Sequence, residues 1–327
     1  MNNVAVIGLG NIASRHRRNL RVLFPDAKIY AVSASGRVPT ENISDCDKLF
    51  ASIDELILEN VQLAIIASPA PFHTHHAIPF IKAYIPVLIE KPVTSTLEEA
   101  KELQQIAEKY STPIAVGYCL RYLSSAQAMK ELIEAQQIGT LSYVNIEIGQ
   151  YLPDWRPNKD YRNCVSANSK LGGGALLELS HEIDYVQWLL GPLHLQHAIL
   201  QCSEQLSLEV EDNVNILATT SNNTIVNIHL DFLQRKAYRY CRFVGTSGSL
   251  EWDLIKNEII FTTKNQVTTL YSDPEWDKNN MYLEMLLDFI EKINGKKNQS
   301  ITLSESIETI EFIENIKKTY PPIITSK

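Results

Sequence analysis

The fold is decided by VAVIGLGNIA, Val4 to Ala13. Val4 to Ile7 is a continuous apolar run, as expected of a strand covered on both faces, and Gly8-Leu9-Gly10-Asn11-Ile12-Ala13 follows it at once. Gly8 permits a tight turn, Gly10 lets a pyrophosphate approach the backbone, and Ala13 keeps the next helix close to the sheet, with phosphate charge stabilised at the helix N-terminus. Such a turn is a weak sign alone. After a buried-type strand and inside a βαβ chain, it points to a dinucleotide site formed by Gly8, Gly10, Asn11 and Ile12.

Outward from that turn, β-rich runs at Ile29 to Val32, Leu63 to Ala67, Val87 to Glu90 and Ile114 to Val116 alternate with helical patterns. This alternation predicts a parallel, doubly wound Rossmann sheet over residues 1–121. Ser95 and Glu98 read as a capping box for the helix that follows. From residue 122 the grammar changes. A helix at Ser124 to Gln136, a strand at Ser142 to Gly149, a polar loop from Tyr151 to Lys170 and one helix from about Ala175 to Leu190 precede a series of strands, and two amphipathic helices end the chain. Residues 122–327 therefore read as an α+β domain with an open, largely antiparallel sheet, for substrate binding and oligomerisation.

Composition narrows the function. The 327 residues carry 30 Lys and Arg against 38 Asp and Glu, a net charge of -8, which disfavours nucleic acid or an anionic membrane as partner. Five widely spaced cysteines, with no CxxC, suit reduced thiols in the cytoplasm. No secretory leader and no run of about eighteen apolar residues is seen. His73, His75 and His76 lack the further ligands of a metal site, so no metal is expected, and no Gly-x-Ser-x-Gly elbow supports a nucleophilic serine.

The second strand ends Val32-Ser33-Ala34-Ser35-Gly36-Arg37, without the acid that binds a ribose 2′-hydroxyl. Ser33, Ser35 and Arg37 suit a 2′-phosphate, so NADP is expected over NAD; an ordinary turn is the plain alternative. Glu90-Lys91-Pro92 stands at the carboxyl end of a buried strand, the edge where ligands bind in open α/β sheets.

GLGNIA, Pro69 with His73 four residues on, Glu90-Lys91-Pro92, and Gly172-Gly173-Gly174 leading to Glu178, His181 and Asp184 together resemble the glucose-fructose oxidoreductase and inositol dehydrogenase family, called Gfo/Idh/MocA. The resemblance implies nicotinamide-dependent oxidation or reduction at a sugar-like carbon. It also implies a cofactor site including Ser68, Pro69, His73, Glu90 and Lys91, and a helix-borne histidine, His181, beside Lys91. Many members have Asp four residues and Gly two residues before that histidine; here Leu177 and Leu179 hold those positions, and Glu178 lies three before it.

At about 100° per residue, Leu179, Ile183, Val186 and Leu190 share one helix face, and Glu178, His181, Asp184, Tyr185 and Trp188 fall opposite. That reads as the wall of a polar cleft. Oxidising a secondary alcohol requires a hydride acceptor, a base and a positive group for the developing alkoxide. His181 is the candidate acid/base, Lys91 orients the hydroxyl, and Asp184 is expected to fix the imidazole.

Tyr151, Trp155 and Arg156, in a loop also carrying Asp154, Lys159, Tyr161 and Arg162, suit a sugar with a phosphate or carboxylate, and Arg121 is expected to reach the same pocket. The substrate expected is a carbohydrate, sugar acid or sugar nucleotide. The alternative is a nicotinamide-binding regulator or assembly subunit that has lost turnover, favoured by the altered spacing before His181. A homodimer or homotetramer is expected, mainly from the resemblance.

Overall fold

The structure is a computed structural model that describes residues 1–324. The chain divides into two compact units, one made of Met1–Cys119 with Met281–Ile310 and the other of Leu120–Asn280 with Glu311 onward.

The first unit opens with β1 (Asn3–Ile7), α1 (Asn11–Leu23), β2 (Lys28–Val32), β3 (Lys48–Phe50), α2 (Ile53–Ile57), β4 (Leu63–Ile66), α3 (His73–Lys82), β5 (Val87–Ile89), α4 (Leu97–Tyr110) and β6 (Ile114–Val116). All strand pairs are parallel, in the order β3-β2-β1-β4-β5-β6. The order reverses at β1 and β4, so the ligand-binding crevice of a doubly wound sheet opens at their carboxyl ends. Val4 to Ile7, Leu63 to Ile66 and Val87 to Ile89 are 0% exposed, which explains their unbroken apolar character. Between Ser95 and Thr96, two adjacent starts of the S/T-x-x-E pattern, the structure uses the second: Thr96 accepts from the Glu99 amide and Glu99 accepts from the Thr96 amide.

The second unit begins with α5 (Ser124–Glu134) and β7 (Leu141–Gly149). A stretch of short 3-10 turns leads to α6 (Ala175–Glu178), α7 (His181–Leu190), β8 (Leu193–Cys202), β9 (Asn213–Thr220), β10 (Ile225–Asp231), β11 (Tyr238–Gly245), β12 (Gly248–Asp253), β13 (Glu258–Thr262) and β14 (Val267–Ser272). After α8 (Asn280–Ile293) and α9 (Leu303–Thr319), β15 (Ile323–Ile324) completes a nine-stranded sheet of order β14-β13-β12-β11-β7-β10-β9-β8-β15. Only β7 with β10 and β8 with β15 pair in parallel. Val144, Ile146, Val214, Ile216, Val226 and Ile228 alternate into the core, while Ile199, Leu217 and Ile225 stay 40–48% exposed on the opposite face.

The two units divide the chain differently from the expected break after residue 121. The first run ends at Cys119 rather than residue 121, and Met281–Ile310 belongs with the first unit rather than the second. The returning segment serves the edge strand β6: the Val116 amide donates to the Ile301 carbonyl at 3.1 Å, and Lys292 Nζ donates to the Ile114 carbonyl at 2.9 Å. Edge carbonyls need partners wherever they are buried, and local patterning cannot say which distant segment brings them. The helix expected over residues 175–190 is two helices. The Ser180 and Glu182 amides bond three residues back, to Leu177 and Leu179, tightening the chain between α6 and α7.

Candidate functional site

In the first unit the glycine turn has the predicted form. Gly8 has φ +116°, and a Cβ there would lie 2.5 Å from the Ala67 carbonyl oxygen, so glycine is needed for both conformation and space. A Cβ on Gly10 would meet nothing within 4 Å. Gly10 caps α1 with no side-chain hydrogen bond, Asn11 is exposed, Ile12 is half-buried, and no acid stands in the first turn. Open space before an uncapped helix start fits a pyrophosphate.

After β2, the turn expected to read the ribose is held by its own side chains. The Ser33 and Ser35 hydroxyls lie 3.2 Å apart, Arg37 Nε donates to Ser35 Oγ at 3.2 Å, and the Gly36 amide donates to the Ser33 carbonyl. Ser35 and Arg37 are exposed.

Ser68, Pro69 and His73 follow β4, but His73 serves the backbone. Its ring is 1% exposed, with Nε2 2.7 Å from the Ser68 carbonyl and Nδ1 3.1 Å and 3.2 Å from those of Pro92 and Val93. It ties the β4 and β5 turns together. Burial holds its pKa below the ordinary histidine value. His76, with Nδ1 2.9 Å from Ser68 Oγ, is lowered to about 4, first by burial and then by His75 and His73.

Glu90 is also turned inward. Its Oε1 is 2.6 Å from Nε2 of His16, and its Oε2 accepts the Lys91 amide at 3.2 Å. Glu90, expected at the cofactor site, thus makes an internal tie, and Lys91 is half-buried at the carboxyl edge, ahead of a cis Lys91–Pro92 bond. Sequence reasoning missed His16 and also Arg17, which is 2% exposed and donates to the carbonyls of Ser44 and Gly8. A signal existed: Ala13, His16, Arg17 and Leu20 form the buried stripe of α1, two of its positions polar.

In the second unit, α7 begins at His181, half-buried. Of the face expected to line a polar cleft, Glu178, His181 and Trp188 are half-buried, and Asp184 and Tyr185 are 0–1% exposed. Asp184 was expected to fix the imidazole. Its two oxygens accept from Arg121, Nε at 3.0 Å and Nη2 at 2.7 Å. Arg121, expected as a substrate contact, is 6% exposed in this pairing. Glu182 likewise takes Arg239, at 2.6 Å and 3.0 Å. Glu178 stands on α6 and accepts the Ser166 hydroxyl at 2.7 Å.

The substrate loop is anchored by aromatics. Trp155 packs edge-on to Phe232 at 5.3 Å, Arg235 lies 3.7 Å over the Tyr151 ring, and Arg156 is half-buried. Arg235, absent from the expected set, joins Tyr151 because the β10 end runs beside this loop, the Leu152 amide donating to the Phe232 carbonyl. Tyr161 is committed to the Leu206 carbonyl and Arg162 to Asp160. Among the described residues, no group of three or more His, Cys, Asp or Glu could hold a metal ion.

Residues 2–118 match the oxidoreductase family described by its NAD-binding Rossmann fold, and residues 126–251 match the GFO/IDH/MocA C-terminal domain. The chain belongs to the Gfo/Idh/MocA family. Among curated relatives it is 29% identical over 238 residues to the glucose-6-phosphate 3-dehydrogenase of Bacillus subtilis, covering 70% of this chain and 67% of that one. It is 22% identical over 333 residues to the myo-inositol 2-dehydrogenase of Thermotoga maritima, covering 99% and 91%. Levoglucosan dehydrogenase, solved in complex with NADH, shares the fold with a TM-score of 0.84 at 18% identity, over 97% of this chain and 96% of that one. The chain is thus an NAD-binding oxidoreductase of a family that includes sugar and inositol dehydrogenases.

Proposed function

We propose that this protein transfers a hydride between a nicotinamide cofactor and a secondary alcohol or ketone carbon of a sugar, sugar acid or nucleotide-linked sugar. The observation that carries this reading lies in the first unit. Lys91 follows β5 at the carboxyl edge of the same parallel sheet whose β1 opens the glycine turn, the edge at which such sheets bind ligands. Bound at that turn, the nicotinamide supplies the hydride donor or acceptor.

The chain's own residues do the rest. The amides opening α1 and the bare backbone of Gly10 receive the pyrophosphate. Lys91 orients the substrate hydroxyl and favours its ionised form, and His181 takes up or returns its proton. The turn Ser33-Ser35-Arg37, which holds no acid, favours NADP over NAD. Tyr151, Trp155 and Arg156 receive the sugar and its charged substituent. Free thiols at Cys46, Cys119, Cys164, Cys202 and Cys241 suit a reducing cytoplasm, and exposed Ile199, Leu217 and Ile225 suit a sheet that self-associates.

The test is turnover, read as reduced-nicotinamide absorbance against inositol, glucose 6-phosphate, levoglucosan and UDP-linked sugars. Lys91→Ala and His181→Ala are each expected to lower turnover roughly 100-fold or more while cofactor binding persists. An active Lys91→Ala enzyme would refute the assignment.

A further inference from the structure

We propose that His16, on the first helix of the Rossmann unit, is a positioning residue for the Lys91 turn. This inference rests on the reading of Lys91 given above, and its argument begins with the hydrogen positions. His16 is 0% exposed, its Nε2 is 2.6 Å from Glu90 Oε1, and its Nδ1 is buried with no hydrogen-bond partner. A hydrogen on Nδ1 would be sealed in without an acceptor, whereas a bare ring nitrogen tolerates that place at lower cost. The tautomer that fits therefore carries its hydrogen on Nε2 and donates it to the carboxylate.

Glu90 has little freedom to answer any other way. Its second oxygen accepts the Lys91 amide at 3.2 Å, so one carboxylate spans the helix behind the glycine turn and the backbone of the residue proposed to meet the hydroxyl. On its other side Gly117 leaves just enough room: a Cβ there would lie 3.2 Å from Glu90 Cα, Cδ and Oε1. Behind His16 stands Tyr282, edge-on at 6.2 Å, hydrogen-bonded to Cys119 and covered by Arg15 at 4.5 Å. The imidazole is thus clamped between an aromatic and a carboxylate, and α1 fixes where Lys91 begins. Without the Nε2 donor, Glu90 Oε1 loses a partner in a buried place, and the carboxylate can turn to a new one only by releasing the Lys91 amide.

Two variants separate this role from simple packing. His16→Gln keeps a side-chain N–H donor of similar reach, and His16→Leu fills the space without one. In uniformly labelled wild-type protein, histidine nitrogen NMR is expected to show the His16 hydrogen on Nε2. In reductively 13C-methylated protein, the Lys91 methyl resonance, assigned by its absence from Lys91→Arg, is expected to shift in His16→Leu and to stay near its wild-type position in His16→Gln. Turnover on the sugar panel is expected to fall roughly 100-fold in His16→Leu, as for a misplaced catalytic group, with cofactor KM little changed and most of the rate restored by Gln. Should His16→Leu not fold, the wild-type tautomer and the Gln variant still decide. A hydrogen found on Nδ1, a Lys91 resonance displaced in His16→Gln, or one unmoved in a folded His16→Leu overturns the proposal. If no sugar turns over in the wild type, the proposed activity fails, and the Lys91 resonance alone judges His16.

Discussion

Glu90 and Asp184 are two buried carboxylates, each close in sequence to a residue proposed to act on substrate, and they are satisfied in different ways. Glu90 is held by an imidazole N–H and a backbone amide, and Asp184 by a two-point guanidinium. A guanidinium keeps its charge at any accessible pH and matches both oxygens of a carboxylate, so Arg121 cancels the charge beside α7. An imidazole hydrogen bond fixes direction and leaves the carboxylate's charge close to Lys91. The second unit uses a two-point charged tie and the first an imidazole and an amide, and this difference can be attacked directly.

The largest effect is expected from Arg121→Met, which takes from buried Asp184 its two-point guanidinium partner. A loss of about 3–5 kcal/mol in urea unfolding is expected; a loss under about 1 kcal/mol would show that Asp184 finds water or another partner. The corresponding cut on the other side, His16→Leu, is expected to cost less, about 1–3 kcal/mol, because it removes one hydrogen bond to a charged group and Glu90 can still turn to another partner by giving up the Lys91 amide. If the two losses come out equal, the contrast between the ties is wrong.

Acid should separate the units next. His76 is lowered to about 4 and His73 is lowered as well, both by burial, so between roughly pH 6.5 and 4 the unfolded chain binds protons that the folded first unit refuses. Stability is full above that window and falls as pH drops through it, by at most about 1.4 kcal/mol per pH unit for each histidine. His76→Gln is expected to flatten the pH dependence of the urea midpoint; an unchanged slope would remove His76 as its source. The smallest effect is at the exposed turn after β2. Arg37→Ala is expected to shift the NADPH to NADH affinity ratio toward NADH by several-fold, worth about 1 kcal/mol, as titration of each cofactor would show. A wild-type preference for NADH would end that reading.

Much of this was legible in the chain. VAVIGLGNIA specified a strand, a turn and a helix because buried strands, glycine conformations and helix starts are local matters. Lys91 at the carboxyl edge followed from counting strands. The errors lie where a side chain's partner comes from far away. Ser95 and Thr96 satisfy the same local rule, and only the helix register chose between them. On the face carrying Asp184 and Tyr185, the partner Arg121 comes from 63 residues before Asp184 and could not be read from the helix pattern. His16 and Arg17 were visible as polar residues on a buried stripe, but Glu90, Gly8 and Ser44 were needed to say why.

By itself, then, the sequence determined the parallel sheet, the glycine turn and the family, because these rest on spacing within a few residues of one another. Tertiary structure alone decided which charges are neutralised, which imidazoles face backbone, and that Met281–Ile310 closes the edge of the first sheet. Burial drives most polar groups to find a partner, and the identity of that partner is a fact of three dimensions.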